Sequence, residues 1–145
     1  QLLHQLANQL APGGMLLAQE WTIPGKDTIV QAPDPAGREL YQRFQTTLVR
    51  AMATAEIGYN WASGLHISLL EEGLTDVQAT QFVEHWRHGH PGMRLVTELA
   101  EQLAPQLERV GFKQPQLGRL RQLLIDPYLI VTGYPLHSVS GRRPG

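Results

Sequence analysis

The 145-residue chain has no cysteine. A disulfide framework and a thiolate zinc site are therefore both excluded, and the composition fits a reducing cytoplasm. It has no apolar run approaching the ~20 residues that a membrane-spanning helix needs. It also lacks an excess of charge of either sign, with 12 Lys and Arg against 13 Asp and Glu. Basic residues adjoin only locally, at Arg142-Arg143 and at Arg119 with Arg121. A nucleic-acid surface needs a broader basic stripe, so neither nucleic acid nor membrane is an expected partner.

What is present is an ordinary globular balance, 42% hydrophobic and 17% charged, enough apolar mass for a core. The length is that of one domain. Leu2, Leu3, Leu6 and Leu10 recur at helical spacing, which predicts a helix over 1–10. Pro12-Gly13-Gly14 ends it, and the apolar run from Met15 to Ala18 predicts a strand buried on both faces, as in a parallel sheet. Thr22 to Pro35, with its prolines and glycine, reads as a long loop. Asp34 is placed to cap a helix that has Pro35 at its first position and Leu40, Phe44 and Leu48 on its apolar face.

Leu65, Leu69 and Leu70 predict a further helix ended at Gly73. Leu74 to Val83 is read as a strand, with a helix as the competing reading. Trp86 to Gly92 is read as a turn. The stripe from Leu95 to Val110 predicts a helix that Pro105 kinks or splits, and Leu117, Leu120 and Leu124 predict another. Tyr128 to Tyr134 is a continuous apolar run rich in β-branched residues and predicts a strand. The polar tail from Ser138 is expected to fray.

Three junctions carry a resemblance. They are Leu10-Ala11-Pro12-Gly13-Gly14-Met15-Leu16-Leu17, Glu72-Gly73-Leu74-Thr75-Asp76-Val77, and Asp126-Pro127-Tyr128-Leu129 running on to Gly141-Arg142-Arg143-Pro144. In this order they resemble the turns and strands of the second half of class I S-adenosylmethionine-dependent methyltransferases of the bacterial, small-molecule type. The resemblance implies an α/β fold class, the C-terminal half of a Rossmann-like methyltransferase sheet with about three strands and several helices. Strands are expected near 15–21, 74–83 and 127–137 in one sheet, the last two as an antiparallel pair at its edge.

That family's glycine-rich loop after a first strand, with an acidic residue ending the second, is not found here. Residues 1–145 are therefore expected to be the acceptor-side part, with the cofactor-binding half outside this chain. S-adenosylmethionine is the cofactor implied for the intact enzyme and none is expected to bind this chain alone, which is then inactive by itself. The implied partner is a small-molecule methyl acceptor. Apolar surfaces left by the missing half imply self-association into a homo-oligomer. The rival reading is a mostly helical protein- or ligand-binding module, in which 74–83 is helical and no sheet forms.

Candidate substrate-binding residues follow from position. Glu20 and Trp21 end the first strand, where open α/β sheets bind ligands; they form a pocket floor, or Trp21 packs on a helix and Glu20 is solvated. Tyr59 and Asn60, beside Trp61, form a pocket wall, or Asn60 is a helix N-cap and the aromatics are core. His66 is either a general base or a half-buried helix residue. His85, His88 and His90 form a solvated turn rather than a metal site, because no carboxylate shares a helical face with all three. No residue is assigned to catalysis, to the cofactor or to a metal.

Overall fold

In the computed structural model, residues 2–25 and 28–145 are described. The fold is mixed α/β, with six α-helices and two three-stranded antiparallel sheets among those residues. The chain divides into two compact units, residues 1–22, 60–82 and 135–145 forming one and 23–59 with 83–134 the other.

The first unit is a sheet covered on one face by helices. Helix α1 (Leu2–Gln9) ends at the Pro12-Gly13-Gly14 turn, where Gly13 takes the positive φ of 74° that favours glycine. Strand β1 (Met15–Trp21) follows. A 3-10 turn (Trp61–Gly64) and helix α3 (Leu65–Glu71) lead through a tight turn at Gly73 into β3 (Thr75–Phe82). The last strand, β6 (Leu136–Arg142), lies between the other two and runs antiparallel to both. Strands β1 and β3 are therefore parallel to each other.

The register sorts the side chains. Leu16, Ala18 and Glu20 of β1 share a face with Gly141, Val139 and His137 of β6. Val139 on that face is buried with Ala7, Ala62, Leu65, Leu69 and Leu74, which come from α1, the 3-10 turn, α3 and the turn into β3. Met15, Leu17, Gln19 and Trp21 point to the other face and are exposed. The expectation of a strand buried on both faces is thus corrected: β1 is an edge strand, and only its alternate residues are half-buried.

The terminal segment needed a larger correction. The expected strand over 128–134 is only Ile130–Thr132, here β5, and it belongs to the second unit's sheet. The tail expected to fray is instead β6, the centre of the first sheet. It is held by two backbones, and the tail beyond it is clamped as well. Arg143 exchanges backbone hydrogen bonds with the glycine turn, Gly13 N–H to Arg143 O at 3.0 Å and Arg143 N–H to Gly14 O at 2.8 Å. Its guanidinium donates to the carbonyls of Asn8, at 2.8 Å, and of Leu10 at the end of α1, where a cation meets unpaired helix carbonyls.

The second unit is mostly helical. Asp34 caps α2 (Pro35–Thr54) by accepting from Gly37 N–H at 2.6 Å, with Pro35 at the start, as the sequence implies. Helix α4 (Pro91–Gln102) and α5 (Ala104–Arg109) are separated at Leu103, next to Pro105, and α6 is Gln114–Leu124. Their apolar stripes bury Phe44, Leu48, Val96, Leu107 and Leu120 in one core, joined by Phe112 from the turn before α6. The region read as a turn holds a strand, β4 (His85–Arg87), which pairs with β5; β2 (Ile29–Gln31) pairs with β5 from the other side. The loop expected over 22–35 thus contains β2, while its Lys26 and Asp27 lie outside the described residues.

Candidate functional site

The C-terminal ends of the parallel strands β1 and β3 define one rim of the first unit's sheet. Because β6 runs antiparallel between them, the strand-end rule for open parallel sheets that singled out Glu20 and Trp21 does not carry over to this rim, which is described by its side chains alone. Two cross-strand rows form this rim. Trp21, Leu136 and Phe82 make an apolar row on the uncovered face, and Glu20, His137 and Gln81 a polar row on the other. Neighbours within a row have β-carbons about 4.5–5.5 Å apart.

The polar row offers a carboxylate, an imidazole and an amide. Gln81 Nε2 stands 3.1 Å from His137 Nε2. Glu20 Oε1 accepts from the backbone N–H of Trp21 at 2.8 Å, which turns the carboxylate toward the end of its own strand. Glu20 and His137 are half-buried and Gln81 is exposed. Such a row can bind and orient a polar group, because its members present both a hydrogen-bond acceptor and a donor.

Of the residues singled out from sequence, Glu20 and Trp21 lie on this rim, on opposite faces. Asn60 sits at the start of the 3-10 turn, which packs beside β1. Its side chain makes no capping bond, and its carbonyl accepts from Ser63 N–H at 3.2 Å and Ser63 Oγ at 2.7 Å. His66 is half-buried in the first turn of α3, the helix that packs on β3 and β6. Tyr59 belongs to the second unit, where it is partly buried against the core and its carbonyl accepts from Ile23 N–H at 3.1 Å.

His137 and Gln81 were not found from sequence. The signal was there only in the alternation of Leu136, Ser138 and Ser140 against His137, Val139 and Gly141, which a frayed tail would not need.

The three histidines of 85–90 have local roles or none. His90 Nδ1 accepts from Gly92 N–H at 3.0 Å and so caps α4, while Nε2 faces Glu84 Oε1 at 3.0 Å. Its ring stacks on Trp86. Among the described residues no group of three or more His, Cys, Asp or Glu side chains is placed to hold a metal ion. No helix among them is long and apolar enough to cross a membrane.

Each unit also carries a surface groove away from these residues. In the first, a groove of about 420 Å³ is lined by Leu2, Leu3, Trp61, Ser68, Glu71 and Glu72. In the second, one of about 340 Å³ is lined by Met93, Leu124 and Ile125 together with His88, Arg94 and Glu98.

The first unit is thus an α/β unit whose antiparallel sheet carries a polar row across one rim. No protein-family model matches the chain, and no curated protein does. Among solved structures it is similar to phospholethanolamine N-methyltransferase 2 of Haemonchus contortus, solved with phosphomonomethylethanolamine and S-adenosylhomocysteine. The TM-score is 0.39 and the identity 11%, over 99% of this chain. The chain spans 29% of the length of that protein.

Proposed function

We propose that this chain is the acceptor-side part of a cytoplasmic S-adenosylmethionine-dependent methyltransferase acting on a small molecule. The glycine-rich cofactor half comes from another segment of the intact enzyme, and the isolated chain is inactive. One observation carries the reading. The three junctions that resemble the family meet in one cross-strand row: Arg142, before Arg143-Pro144, is the register partner of both Met15, after the glycine turn, and Thr75, after Gly73-Leu74. Segments at both ends and the middle of the chain are brought together there by pairing alone. The antiparallel partner of β3 is Leu136–Arg142 and not the segment 127–137 expected from sequence, whose strand Ile130–Thr132 lies in the other sheet.

The exposed apolar face and the edge position of β1 among the described residues support the same reading, since a sheet can continue from such an edge. On this view Glu20, Trp21 and Asn60 border the acceptor, and catalysis is chiefly proximity, with the acceptor atom held in line with the sulfonium methyl. The mostly helical alternative requires 74–83 to be helical; Thr75–Phe82 is a strand, and that alternative is dropped.

Calorimetric titration of the isolated chain with S-adenosylmethionine tests the division of labour. The expected result is no saturable binding by residues 1–145, and binding with methyl transfer once the polypeptide is extended by the sequence its gene encodes upstream. Tight binding by the isolated chain, or an upstream sequence without a strand and glycine-rich loop, overturns the proposal.

A further inference from the structure

The polar row at the rim has a fixed sense. Gln81 presents its amide nitrogen to His137 Nε2 at 3.1 Å. An amide N–H can only donate, so Nε2 is the accepting nitrogen and the single ring proton of neutral His137 sits on Nδ1. No other described residue bonds that nitrogen. His137 therefore offers a donor.

Glu20 stands directly across on β1, on the same face. Its Oε1 is engaged by Trp21 N–H at 2.8 Å, and Oε2 is left to accept. The two side chains do not pair with each other in an ion pair. Side by side on adjacent strands stand a donor and an acceptor.

We propose that Glu20 and His137 recognise a hydroxyl group, with Gln81 as the positioning residue that sets the tautomer. A hydroxyl both donates and accepts through a single atom, so it can donate to Glu20 Oε2 while accepting from His137 Nδ1–H. An ammonium satisfies only Glu20 and a carboxylate only His137. Hydroxyl-bearing small molecules, phenols and catechols among them, are the class selected. That substrate class rests on the methyltransferase reading, whereas the donor–acceptor pair itself does not.

Two measurements on the 145-residue chain test this. Long-range 15N NMR of the histidine rings should find neutral His137 protonated on Nδ1, and Gln81→Leu should move it toward the Nε2-protonated form. Catechol, titrated while backbone amides are monitored, should shift Glu20 and His137. The same ring with both oxygens methylated, 1,2-dimethoxybenzene, should bind about tenfold or more weakly, the loss of roughly one hydrogen bond's free energy.

Glu20→Ala and His137→Ala should each weaken catechol to a similar degree, and Gln19→Ala, on the opposite face, should not. A wild-type His137 protonated on Nε2, equal affinity for the two ligands, or shifts confined to other residues overturns the inference. The ligand comparison stands even if a variant fails to fold. Absence of methyl transfer in the longer protein leaves these readouts untouched, so the two proposals fail separately.

Discussion

Trp86 and Gly133 share one volume: a β-carbon on Gly133 would stand 2.2 Å from the indole. Gly92 at the start of α4 bounds the same ring, with a β-carbon there 2.1 Å away. The buried indole meets Tyr134 edge-on at a centroid distance of 5.3 Å. It is thus held between two backbones, and no side chain at either glycine fits without moving it. Gly133→Ala should cost about 1–3 kcal/mol, the usual range for overpacking a core. Urea unfolding gives the loss directly, and near-ultraviolet circular dichroism reports the displaced tryptophan. An alanine variant with wild-type stability and an unchanged aromatic spectrum would refute the packing argument.

Gln45 is fully buried, and its amide nitrogen donates to the Tyr134 hydroxyl at 3.0 Å. A buried amide left unpaired carries its whole desolvation cost. Tyr134→Phe should therefore destabilise by about 1–3 kcal/mol. Adding Gln45→Leu to it should recover part of the loss, because both partners are then apolar. The measurement is a double-mutant cycle by denaturant unfolding. Additive losses would show that the two groups are not coupled.

Alkaline pH should unfold the second unit through the same region. Burial pushes the Tyr134 hydroxyl well above its ordinary value, against a smaller lowering by Gln45. Tyr41 is raised too, first by burial and then by its neighbour Tyr134. A folded-state value raised above the unfolded one means that the unfolded chain releases its protons first. Stability is then fully present below pH ~10, the ordinary tyrosine value, and falls as pH rises beyond it by about 1.4 kcal/mol per pH unit for each such tyrosine. Tyr134→Phe should flatten the fall even though it lowers stability at neutral pH. A melting temperature indifferent to pH between about 9 and 11 would exclude titration of buried tyrosines.

The helices were legible because each carried its own signal. The capping Asp34 with Pro35, and the stripe through Phe44 and Leu48, specify α2 without reference to anything distant. Pro105 marks the break between α4 and α5 for the same reason. The strands were less legible, since what buries a strand is its neighbours. Leu136–Arg142 is polar and small, and reads as a tail; only pairing with β1 on one side and β3 on the other makes it the centre of the sheet. Met15–Ala18 reads as doubly buried because apolar residues are consecutive, yet the described chain covers one face only. The rim was half visible. Glu20 and Trp21 were reachable from the rule about strand ends, whereas His137 became part of it only through a register linking it to a residue 117 positions away.

That uncovered face has a measurable consequence. Met15 and Leu17 are 57% and 54% exposed, Trp21 is 40% exposed, and Phe82 lies on the same face at 57%. Strand β1 is also an edge of its sheet, paired on one side only among the described residues. Exposed apolar surface beside an unpaired edge promotes association. The isolated chain should therefore self-associate as its concentration rises to about 100 μM, within the range where such surfaces drive assembly. Met15→Lys with Leu17→Lys places charge on that face without touching the helix-covered side. The double variant should sediment as a monomer with an unchanged far-ultraviolet spectrum. If the wild-type chain is monomeric throughout, or the lysines leave its association intact, the face is not what joins the copies. The groove lined by Leu2, Leu3 and Trp61 in the same unit would then be the surface to mutate next.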